Sequence, residues 1–457
     1  MSISLPAFLK SHQIKTDPSD IEKYARDWTR VHTPNSPAIL FPETTEEVQK
    51  IVLWARKEKI ALVPSGGRTG LSAGAVAFQG EVVISLERMD KIIELNEINR
   101  TLRCEAGLIT EKLQNAVEEA DYFFPVDLAS RGSSQIGGNI ATNAGGTKVI
   151  RYGHIRNWVR HLKVVTGSGE ILNLHRGLVK DNSGYDLKHL FIASEGTLGI
   201  ITEATLEFTI APQNLTVVLL ACEHLDSALE ILVQFRKTVD LTAFEFFTDK
   251  ALHYVLKSTN LEPPFSKASS IYILLEFENR NSAVMDAVLE TFDTCLVEGL
   301  VTDGVVSQNS KQASDFWKYR ENISESLSKY NPYKNDISVA ISKIPQFVRE
   351  VGKIYEGVEV VWFGHIGDGN LHINVIKSEK TSAEDFAKMR HDLGIKLFTI
   401  IEKFNGSISA EHGIGLLKKP YLHFGRSVEE IQLMRQIKKI FDPDLILNPG
   451  KIFDESE

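Results

Sequence analysis

The sequence predicts an α+β protein of two domains, and three observations support this. At 457 residues the chain is longer than a single hydrophobic core usually supports. The first half carries glycine-rich clusters beside short apolar strands, and the second half alternates apolar strands with amphipathic helices. That alternation is typical of an antiparallel sheet covered on one face by helices. The turn-rich stretch Ala211–Asn214 predicts the boundary, which gives domains at 1–212 and 213–457.

The elements of the first domain follow from hydrophobic spacing. Residues 17–58 are predicted to be helical, with a capping box at Thr44–Glu47. Gly167-Ser168-Gly169 predicts a hairpin between strands at 162–166 and 170–174. The other predicted elements are strands at 60–64, 81–86 and 101–105 and a helix at 110–120.

The second domain is predicted to alternate strands and helices, with a hairpin at 359–375 built around Gly367-Asp368-Gly369. Its other predicted strands are 215–222, 243–247, 271–277 and 335–341, and its predicted helices are 226–237, 249–257, 283–298, 314–329, 384–404 and 428–441.

Composition excludes several classes of protein. Hydrophobic residues make up 43% of the chain and charged residues 24%, as in soluble globular proteins. The net charge is −9 and no Lys/Arg cluster is present, which argues against nucleic-acid binding. Three widely spaced cysteines are expected to be reduced thiols. Neither a signal peptide nor a bilayer-length apolar run is found, so the expected location is the cytoplasm, although an organellar precursor without its leader would look the same.

Three glycine clusters, at 65–70, 137–146 and 195–201, indicate a cofactor site. Glycine lets backbone N–H groups approach an anion closely, so a cofactor containing a pyrophosphate is the natural occupant. Neither GxGxxG nor a P-loop is present, which disfavours a Rossmann fold and a P-loop NTPase. Tight turns without a ligand are the alternative. Gly70–Gly74 matches GxSxG, but no helical pattern follows it as a serine hydrolase would require.

A second group of motifs indicates a metal site. The stretch Gly364–Asn374 contains two histidines and an amide, and Glu411-His412-Gly413 adds a carboxylate and a third histidine. His372 and Asn374 are two apart on a predicted strand and share one face. Two imidazoles and a carboxylate with open positions are typical of catalytic Zn²⁺, and Mn²⁺ or Fe²⁺ would also fit. Each histidine taken alone could equally be a hydrogen-bonded structural residue.

A cationic group precedes the metal motif. Arg320 and Ser324 are four apart on a predicted helix, and Lys334 follows after a short turn. Together they could clamp a carboxylate, Arg through a bidentate fork and Lys as a point charge. A solvated helix face is the alternative.

These motifs, in this order, resemble the FAD-binding segments of the vanillyl-alcohol-oxidase (PCMH-type) flavoproteins. The second half resembles the FAD-linked oxidase C-terminal domain, and the similarity runs from residue 20 to residue 453. The resemblance implies a PCMH-type FAD-binding domain followed by a substrate and metal domain with a C-terminal helical segment, whose last roughly twenty residues return toward the flavin. Some relatives link FAD covalently through a histidine, but this sequence offers no strong candidate for that link, so non-covalent FAD is expected. The segments that carry the resemblance are Pro64–Gly70, Pro125–Asp127, Ser134–Asn139, Thr142–Gly146, Glu195–Gly199 and Leu447–Lys451.

The resemblance also implies residue roles around the cofactor. The first cluster would wrap the pyrophosphate through backbone amides, and the other clusters would flank the rest of FAD. The implied cofactor residues are Pro64, Ser65, Gly66, Gly67, Arg68, Thr69, Gly70, Leu71, Pro125, Asp127, Ser134, Gly137, Gly138, Asn139, Thr142, Asn143, Gly145, Glu195, Gly196, Gly199, Ile201 and Asn448.

For the chemistry, the resemblance implies oxidation of a D-2-hydroxy acid, with D-2-hydroxyglutarate as the expected substrate and D-malate as a second one. A metal-polarised hydroxyl would lose its proton to His412 as general base, and a hydride would pass from C2 to flavin N5. The implied ligands of the metal are His365, His372 and Glu411. The implied substrate contacts are Asn374 and His412, with Arg320, Ser324 and Lys334 holding the distal carboxylate.

The sequence is also compatible with other functions. A D-lactate or glycolate dehydrogenase of the same superfamily would have no use for the cationic pair. A metal-dependent hydrolase would carry no flavin, and a non-catalytic flavoprotein subunit would not need the metal and base residues. No NAD motif is present, so the expected electron acceptor is electron-transfer flavoprotein or a quinone. A homodimer is one assembly compatible with the sequence.

Overall fold

The computed structural model describes residues 4–454 of the chain. They form two compact units, neither of which is continuous in sequence. The whole segment from Glu411 onward belongs to the first unit, a longer return than the roughly twenty residues expected. The first unit comprises Met1–Gly146, His154–Ala211 and Glu411–Glu457, and the second comprises Thr147–Gly153 and Pro212–Ala410.

Up to residue 211 the described chain forms short strands and helices. The strands are β1 (Ile14–Lys15), β2 (Ile39–Leu40), β3 (Leu62–Ser65), β4 (Val82–Ser85), β5 (Ile92–Asn96), β6 (Thr101–Glu105), β7 (Tyr122–Phe123), β8 (Val159–Thr166), β9 (Ile171–Leu174), β10 (Gly199–Glu207) and β11 (Thr209–Ile210). The helices are α1 (Pro18–Tyr24), α2 (Thr45–Glu58), α3 (Thr110–Glu118), α4 (Ile136–Ala141), α5 (Val149–Tyr152) and α6 (Lys188–Phe191).

The first unit contains three sheets. A four-stranded sheet has the order β1-β2-β4-β3, a five-stranded antiparallel sheet has the order β5-β6-β10-β8-β9, and β11 pairs with β7. The predicted hairpin of β8 and β9 is confirmed by the pairing of Leu162 with Leu174. The parallel bridge between Leu62 and Leu447 adds the returning C-terminal segment beside β3.

The region 17–58, predicted to form helices, does contain α1 and α2, but the stretch between them is not helical and includes β2. Pro34 and Pro37 lie in this gap, and proline disfavours a continuous helix. The capping box is only half formed. The Thr44 side chain accepts a hydrogen bond from the backbone N–H of Glu47, but the Glu47 carboxylate bonds Gln13 and the backbone N–H of Glu43.

The second unit is built on strands that alternate with helices. The strands are β12 (Leu215–Cys222), β13 (Leu241–Thr248), β14 (Ile271–Glu278), β15 (Asp303–Val306), β16 (Tyr333–Ser338), β17 (Val360–Gly364) and β18 (Asn370–Val375). The helices are α7 (Leu225–Thr238), α8 (Asp249–Ser258), α9 (Ser282–Val297), α10 (Ser310–Glu321), α11 (Ile323–Ser328), α12 (Ile344–Ile354) and α13 (Ala383–Lys403), while α14 (Val428–Phe441) follows in the first unit.

Its strands form one seven-stranded antiparallel sheet in the order β15-β12-β14-β13-β17-β18-β16. Helices cover both faces, so the prediction of one covered face is wrong. Phe316 and Trp317 of α10 join the apolar cluster that contains Leu219, whereas Phe292 of α9 lies against the position of Gly304 beside Leu220. Successive residues of a strand point to opposite faces, so these helices lie on opposite sides.

Two further expectations can be compared with the structure. The helix predicted over 314–329 is two helices, α10 and α11, because Asn322 leaves regular α geometry with ψ near −6°. All three cysteines are free and buried. Among the described residues, none of the helices combines the length and apolar character needed to cross a bilayer.

Candidate functional site

A cavity in the first unit collects the three glycine clusters. The loop after β3, helix α4 and the start of β10 supply most of its wall. These are the ends of elements, where backbone N–H groups are available to a ligand. The predicted cofactor residues that line it are Pro64, Ser65, Gly66, Gly67, Arg68, Thr69, Gly70, Gly137, Gly138, Asn139, Thr142, Glu195, Gly196, Gly199 and Ile201.

The cavity fits a polar, pyrophosphate-containing cofactor. A Cβ added to Gly67 would lie 2.2 Å from the backbone oxygen of Ser133, so only glycine fits there. A Cβ at Gly138 would meet no heavy atom within 4 Å, so that backbone faces open space. Ser65 Oγ and Gln135 Oε1 are buried and have no hydrogen-bond partner among the described residues. Such groups are costly unless a ligand or water satisfies them, which is what FAD would do.

Seven predicted cofactor residues are not among those lining this cavity; the cofactor roles of these seven, like those of the lining residues, stay predictions. The Ser134 hydroxyl is 2.8 Å from that of Thr110, within the packing behind α4. Asn143 Oδ1 accepts from Arg156 Nε at 3.3 Å. The seven are Leu71, Pro125, Asp127, Ser134, Asn143, Gly145 and Asn448.

Asn448 fastens the C-terminal segment behind the cavity. Its Nδ2 donates to the backbone oxygens of Gly74 (2.9 Å) and Glu195 (2.7 Å), both cavity residues. Its Oδ1 is buried without a hydrogen-bond partner among the described residues. Asn448 therefore links two walls of the cavity.

Glu195, which lines the cavity, also contacts the returning C-terminal segment. Its carboxylate accepts the backbone N–H groups of Ile414 (2.7 Å) and Gly415 (2.8 Å). Complete burial raises the pKa of Glu195, although the two N–H groups oppose that rise. His412, which lines the cavity, lies two residues before Ile414. Glu195 thus fixes the loop that carries the predicted base.

Glu411, the predicted carboxylate ligand, also lies in the first unit. Its Oε1 accepts from the backbone N–H of Gly146 at 3.3 Å. Gly146 ends the second glycine cluster, so this contact joins the predicted metal motif to a predicted cofactor motif.

The predicted histidine ligands lie in the second unit, on the hairpin of β17 and β18. His365 immediately follows β17, and His372 on β18 pairs with Phe363. The two imidazole rings have centroids 5.4 Å apart and cross at 80°. The hairpin predicted from the glycine turn therefore brings these two histidines together.

A buried glutamate that the sequence reasoning missed joins this pair to the cationic group. Glu245 on β13 is 1% exposed. Its Oε1 lies 2.7 Å from His365 Nδ1, and its Oε2 accepts from Arg320 Nε at 2.8 Å. Burial alone would raise the pKa of Glu245, but His365 and Arg320 outweigh burial and lower it. The one feature of the sequence that could have indicated Glu245 is the presence of a carboxylate within the otherwise apolar strand Ala243–Phe247.

The two predicted clamp cations lie on the same face of the sheet as the histidine pair. The Arg320 guanidinium lies 4.8 Å from the centre of the Phe363 ring, and Phe363 pairs with His372. Lys334 pairs with Asn374, two residues along the same strand face from His372. Among the described residues, neither the Nη groups of Arg320 nor Lys334 Nζ has a hydrogen-bond partner.

Ser324 and Lys334 differ in their surroundings from Arg320. Ser324 is exposed and lies on α11, whereas Arg320 is buried on α10. Lys334 is exposed, yet desolvation by its neighbours lowers the pKa of its ammonium group. Desolvation strengthens attraction to a bound anion.

A second buried carboxylate anchors α10. Glu276 on β14 accepts from Trp317 Nε1 at 2.9 Å through Oε2, and from Thr242 and Lys148 through Oε1. Lys148 Nζ also lies 4.8 Å from the centre of the Trp317 ring. The helix that carries Arg320 is therefore held by two sheet carboxylates, Glu276 and Glu245.

A third carboxylate faces His372. Asp336 is fully buried on β16 and pairs with His372, with 3.9 Å between Asp336 Oδ1 and His372 Nδ1. Asn370 Nδ2 donates to the same oxygen at 2.8 Å. Each histidine of the pair thus has a buried carboxylate near its Nδ1.

Comparison with sequence families covers most of the chain. The family described as "FAD binding domain" matches residues 36–175, and the family "FAD linked oxidases, C-terminal domain" matches residues 211–452. Solved structures with a similar fold include a 4-ethylphenol oxidase from Gulosibacter chungangensis (TM-score 0.76, 18% identity, 97% of this chain and 95% of that one). Another is p-cresol methylhydroxylase with substrate bound (TM-score 0.77, 16% identity, 99% and 96%).

Full-length relatives are much more similar. The D-2-hydroxyglutarate dehydrogenase of Xanthomonas citri pv. viticola is 51% identical over 99% of this chain and 96% of its own. That of Stutzerimonas stutzeri is 49% identical over 98% of each chain, and the mitochondrial one of Arabidopsis thaliana is 37% identical over 98% and 80%. The chain therefore belongs to the FAD-linked oxidase family, in the group of the D-2-hydroxyglutarate dehydrogenases.

Proposed function

We propose that this protein oxidises D-2-hydroxyglutarate to 2-oxoglutarate, with FAD as the immediate electron acceptor. The observation that carries the proposal is the pair of cations, Arg320 and Lys334, on the same sheet face as His372 and Asn374. A 2-hydroxy acid with a second carboxylate matches two cations placed beside the histidine pair. The names of the bacterial relatives support the same substrate.

Substrate selection is assigned to the cations. The Nη groups of Arg320 form hydrogen bonds with the distal carboxylate, and Lys334 adds an unpaired positive charge. Ser324 contributes a hydroxyl, and Asn374 contacts the hydroxy-acid end. D-lactate and glycolate lack the distal carboxylate, so they leave both cations without a partner. D-malate carries it one methylene closer and is a second substrate in this proposal.

The histidine pair in the second unit, with its buried carboxylates, fits a divalent transition metal. A metal-binding histidine usually has its other ring nitrogen held by a carboxylate, and Glu245 stands 2.7 Å from His365 Nδ1 in that way. His365 and His372 would supply imidazole nitrogens, and Glu411 would supply the carboxylate. Zn²⁺ suits such a set, as do Mn²⁺ and Fe²⁺, and the ion would supply Lewis acidity at the substrate hydroxyl.

His412 is assigned as the general base that receives the proton of the C2 hydroxyl. An imidazole is suited to this step because its ordinary pKa lies near neutrality. Glu195 holds the following backbone at Ile414 and Gly415, which restrains the position of His412. FAD, when bound without a covalent link, supplies the hydride acceptor. The cavity residues bind it and limit the access of water.

The reduced cofactor must be reoxidised by a partner. With no NAD motif in the sequence, electron-transfer flavoprotein or a quinone is the proposed acceptor. The proposed location is the cytoplasm, in keeping with the bacterial relatives.

The test is product identification. Purified protein is given D- or L-2-hydroxyglutarate with an electron-accepting dye, and 2-oxoglutarate is quantified by mass spectrometry. We expect stoichiometric 2-oxoglutarate from the D enantiomer, loss of turnover after prolonged dialysis against a chelator, and recovery with Zn²⁺ or Mn²⁺. A colourless protein that hydrolyses esters or phosphates would overturn the proposal in favour of a hydrolase. Unchanged turnover after verified metal removal would refute the metal assignment.

A further inference from the structure

Glu245 occupies a central and fully buried position in the second unit. Glu245 lies on β13 between Phe244 and Phe246, and only 1% of its surface is exposed. An isolated carboxylate in such surroundings would be strongly destabilising. A carboxylate is stable at this position only if both of its oxygens accept hydrogen bonds from strong donors.

The two oxygens of Glu245 serve different parts of the proposed site. Oε1 is 2.7 Å from Nδ1 of His365, a proposed metal ligand. Oε2 accepts from Nε of Arg320 at 2.8 Å, on the helix that supplies the proposed substrate clamp. His365 and Arg320 are themselves 6% exposed, so all three groups are fixed by packing as well as by hydrogen bonds.

We propose that Glu245 is a positioning residue that couples metal binding at His365 to recognition of the distal carboxylate by Arg320. This inference rests on the proposed function, because it takes His365 as a metal ligand and Arg320 as the substrate clamp. Neither composition nor any motif of the sequence marks Glu245 for such a role.

On the histidine side, the carboxylate selects a tautomer. With Nδ1–H donating to Glu245, Nε2 is the ring nitrogen that carries the lone pair for a metal. Outer carboxylates of this kind also make the imidazole a stronger ligand, and losing one typically lowers metal affinity about 10–100-fold.

On the arginine side, the same carboxylate fixes the direction of the guanidinium. Anchoring Nε to Glu245 and laying the group over Phe363 leaves the two Nη groups as the fork that can meet a substrate carboxylate. Because one carboxylate orients both groups, a change at either partner is felt at the other. The coupling is reciprocal for the two binding equilibria.

Replacing Glu245 by glutamine tests this directly. The glutamine amide has one acceptor oxygen, whereas the glutamate carboxylate has two. Its NH₂ group would face either the donor of His365 or that of Arg320, so Glu245→Gln removes one anchor and the shared negative charge. The side-chain volume is almost unchanged, which limits effects on packing.

Glu276→Gln is the matched control. Glu276 is also buried (4% exposed), lies on the neighbouring strand β14 and takes Trp317 Nε1 and Lys148 as partners. It contacts no proposed metal ligand. A purely structural effect of losing a buried carboxylate should therefore be at least as large in this variant.

Two quantities are measured. The first is the Co²⁺ affinity of the FAD-containing protein, determined by competition with a chelator and followed through the visible absorption bands of Co²⁺. The second is KM for D-2-hydroxyglutarate and for D-lactate at saturating metal. For Glu245→Gln we expect the Co²⁺ Kd to rise about 10–100-fold. We also expect the ratio of the two KM values, dicarboxylate over D-lactate, to rise at least about fivefold, since a charge-assisted hydrogen bond is lost. Glu276→Gln should leave Co²⁺ affinity unchanged.

Three results would overturn the inference. Wild-type values for both quantities in Glu245→Gln would show that the contacts are not needed. A change in only one of them would refute the coupling, and an equal loss of Co²⁺ affinity in Glu276→Gln would show a general structural effect. If any of these results appears while the wild type oxidises D-2-hydroxyglutarate, the role of Glu245 is refuted and the proposed function still stands. If wild-type Co²⁺ binding does not depend on His365, the proposed metal centre fails as well.

A measurement on the wild type covers the case in which Glu245→Gln does not fold. Histidine-selective ¹⁵N NMR of the Zn²⁺-loaded protein, assigned with His365→Gln, should show His365 with a protonated Nδ1 in slow exchange. A His365 ring protonated at Nε2 would contradict the proposed tautomer and overturn the inference.

Discussion

The indole Nε1 of Trp317 donates a 2.9 Å hydrogen bond to Glu276 Oε2, one helical turn before Arg320. Trp317→Phe should destabilise the fold by about 1–3 kcal/mol, because a buried hydrogen bond to a charged group is lost. It should also raise KM for D-2-hydroxyglutarate more than KM for D-lactate, since α10 positions Arg320. Thermal unfolding and steady-state kinetics measure both effects.

Tyr319→Phe is the control on the same helix. It loses the 2.7 Å bond from the Tyr319 hydroxyl to the backbone oxygen of Glu262, which anchors α10 away from the sheet carboxylates. We expect destabilisation without a change in the KM ratio. Equal changes of the ratio in both variants would refute the role of the Trp317 contact.

His412→Ala should keep FAD and lose at least about 100-fold in kcat, the usual range for removing a general base. His412 lines the cofactor cavity, and Glu195 holds the loop that follows it. The readouts are flavin absorbance of the purified protein and turnover. The control is His423→Ala, an exposed position in the same segment that should be neutral. Near-normal turnover in His412→Ala would contradict the assignment.

We expect the affinity for D-2-hydroxyglutarate to fall at alkaline pH because of Lys334. Desolvation lowers its pKa from the ordinary value of 10.5, and the ammonium attracts the distal carboxylate only while protonated. The attraction is therefore present below the folded-state pKa and lost as pH rises through it, earlier than for a lysine with the ordinary pKa. KM for D-2-hydroxyglutarate should rise over that range, while KM for D-lactate should not. Lys334→Arg, which stays charged, should remove this rise, and its persistence in Lys334→Arg would point to another group.

Gly138→Ala should separate cofactor binding from folding. An added Cβ meets no heavy atom within 4 Å, so the protein without FAD should unfold at the wild-type temperature or slightly above. Because Gly138 lines the cavity, the methyl group should reduce the flavin retained per protein, measured from visible absorbance. Gly352→Ala on α12, equally open, should keep full flavin. Full flavin in Gly138→Ala would place the cofactor away from α4.

Much of the second unit was predictable because its strands are apolar and its helices amphipathic. The bounds of β12 match those predicted, and the glycine turn at 367–369 gave the correct hairpin; in the first unit the bounds of α14 also match. Errors arose where local signals were weak or conflicting. The two-residue strand β2 has too few residues to show a period, and Asn322 ends α10 within an otherwise helical pattern.

The candidate metal ligands and the cations of the site could be predicted from the sequence, but the buried carboxylates that hold them in place could not. Histidines beside glycine turns stand out in a sequence, and so does a cation pair. Glu245 and Asp336 do not, because their partners lie far away along the chain: Glu245 meets Arg320 and His365 only through the order of strands in the sheet. For Glu195 the sequence predicted the site but not the contacts of the side chain. Its motif indicated the cavity, but the bonds to Ile414 and Gly415 depend on the returning C-terminal segment.

The most direct test of the proposed function is anaerobic flavin reduction in a stopped-flow instrument. The purified protein is mixed with D-2-hydroxyglutarate, D-malate, D-lactate or glycolate, and the flavin absorbance is followed. We predict rapid bleaching by D-2-hydroxyglutarate, slower bleaching by D-malate and little by D-lactate or glycolate. Bleaching by D-lactate as fast as by D-2-hydroxyglutarate would contradict the clamp of Arg320 and Lys334, and no bleaching by any of the four would contradict the proposed activity itself.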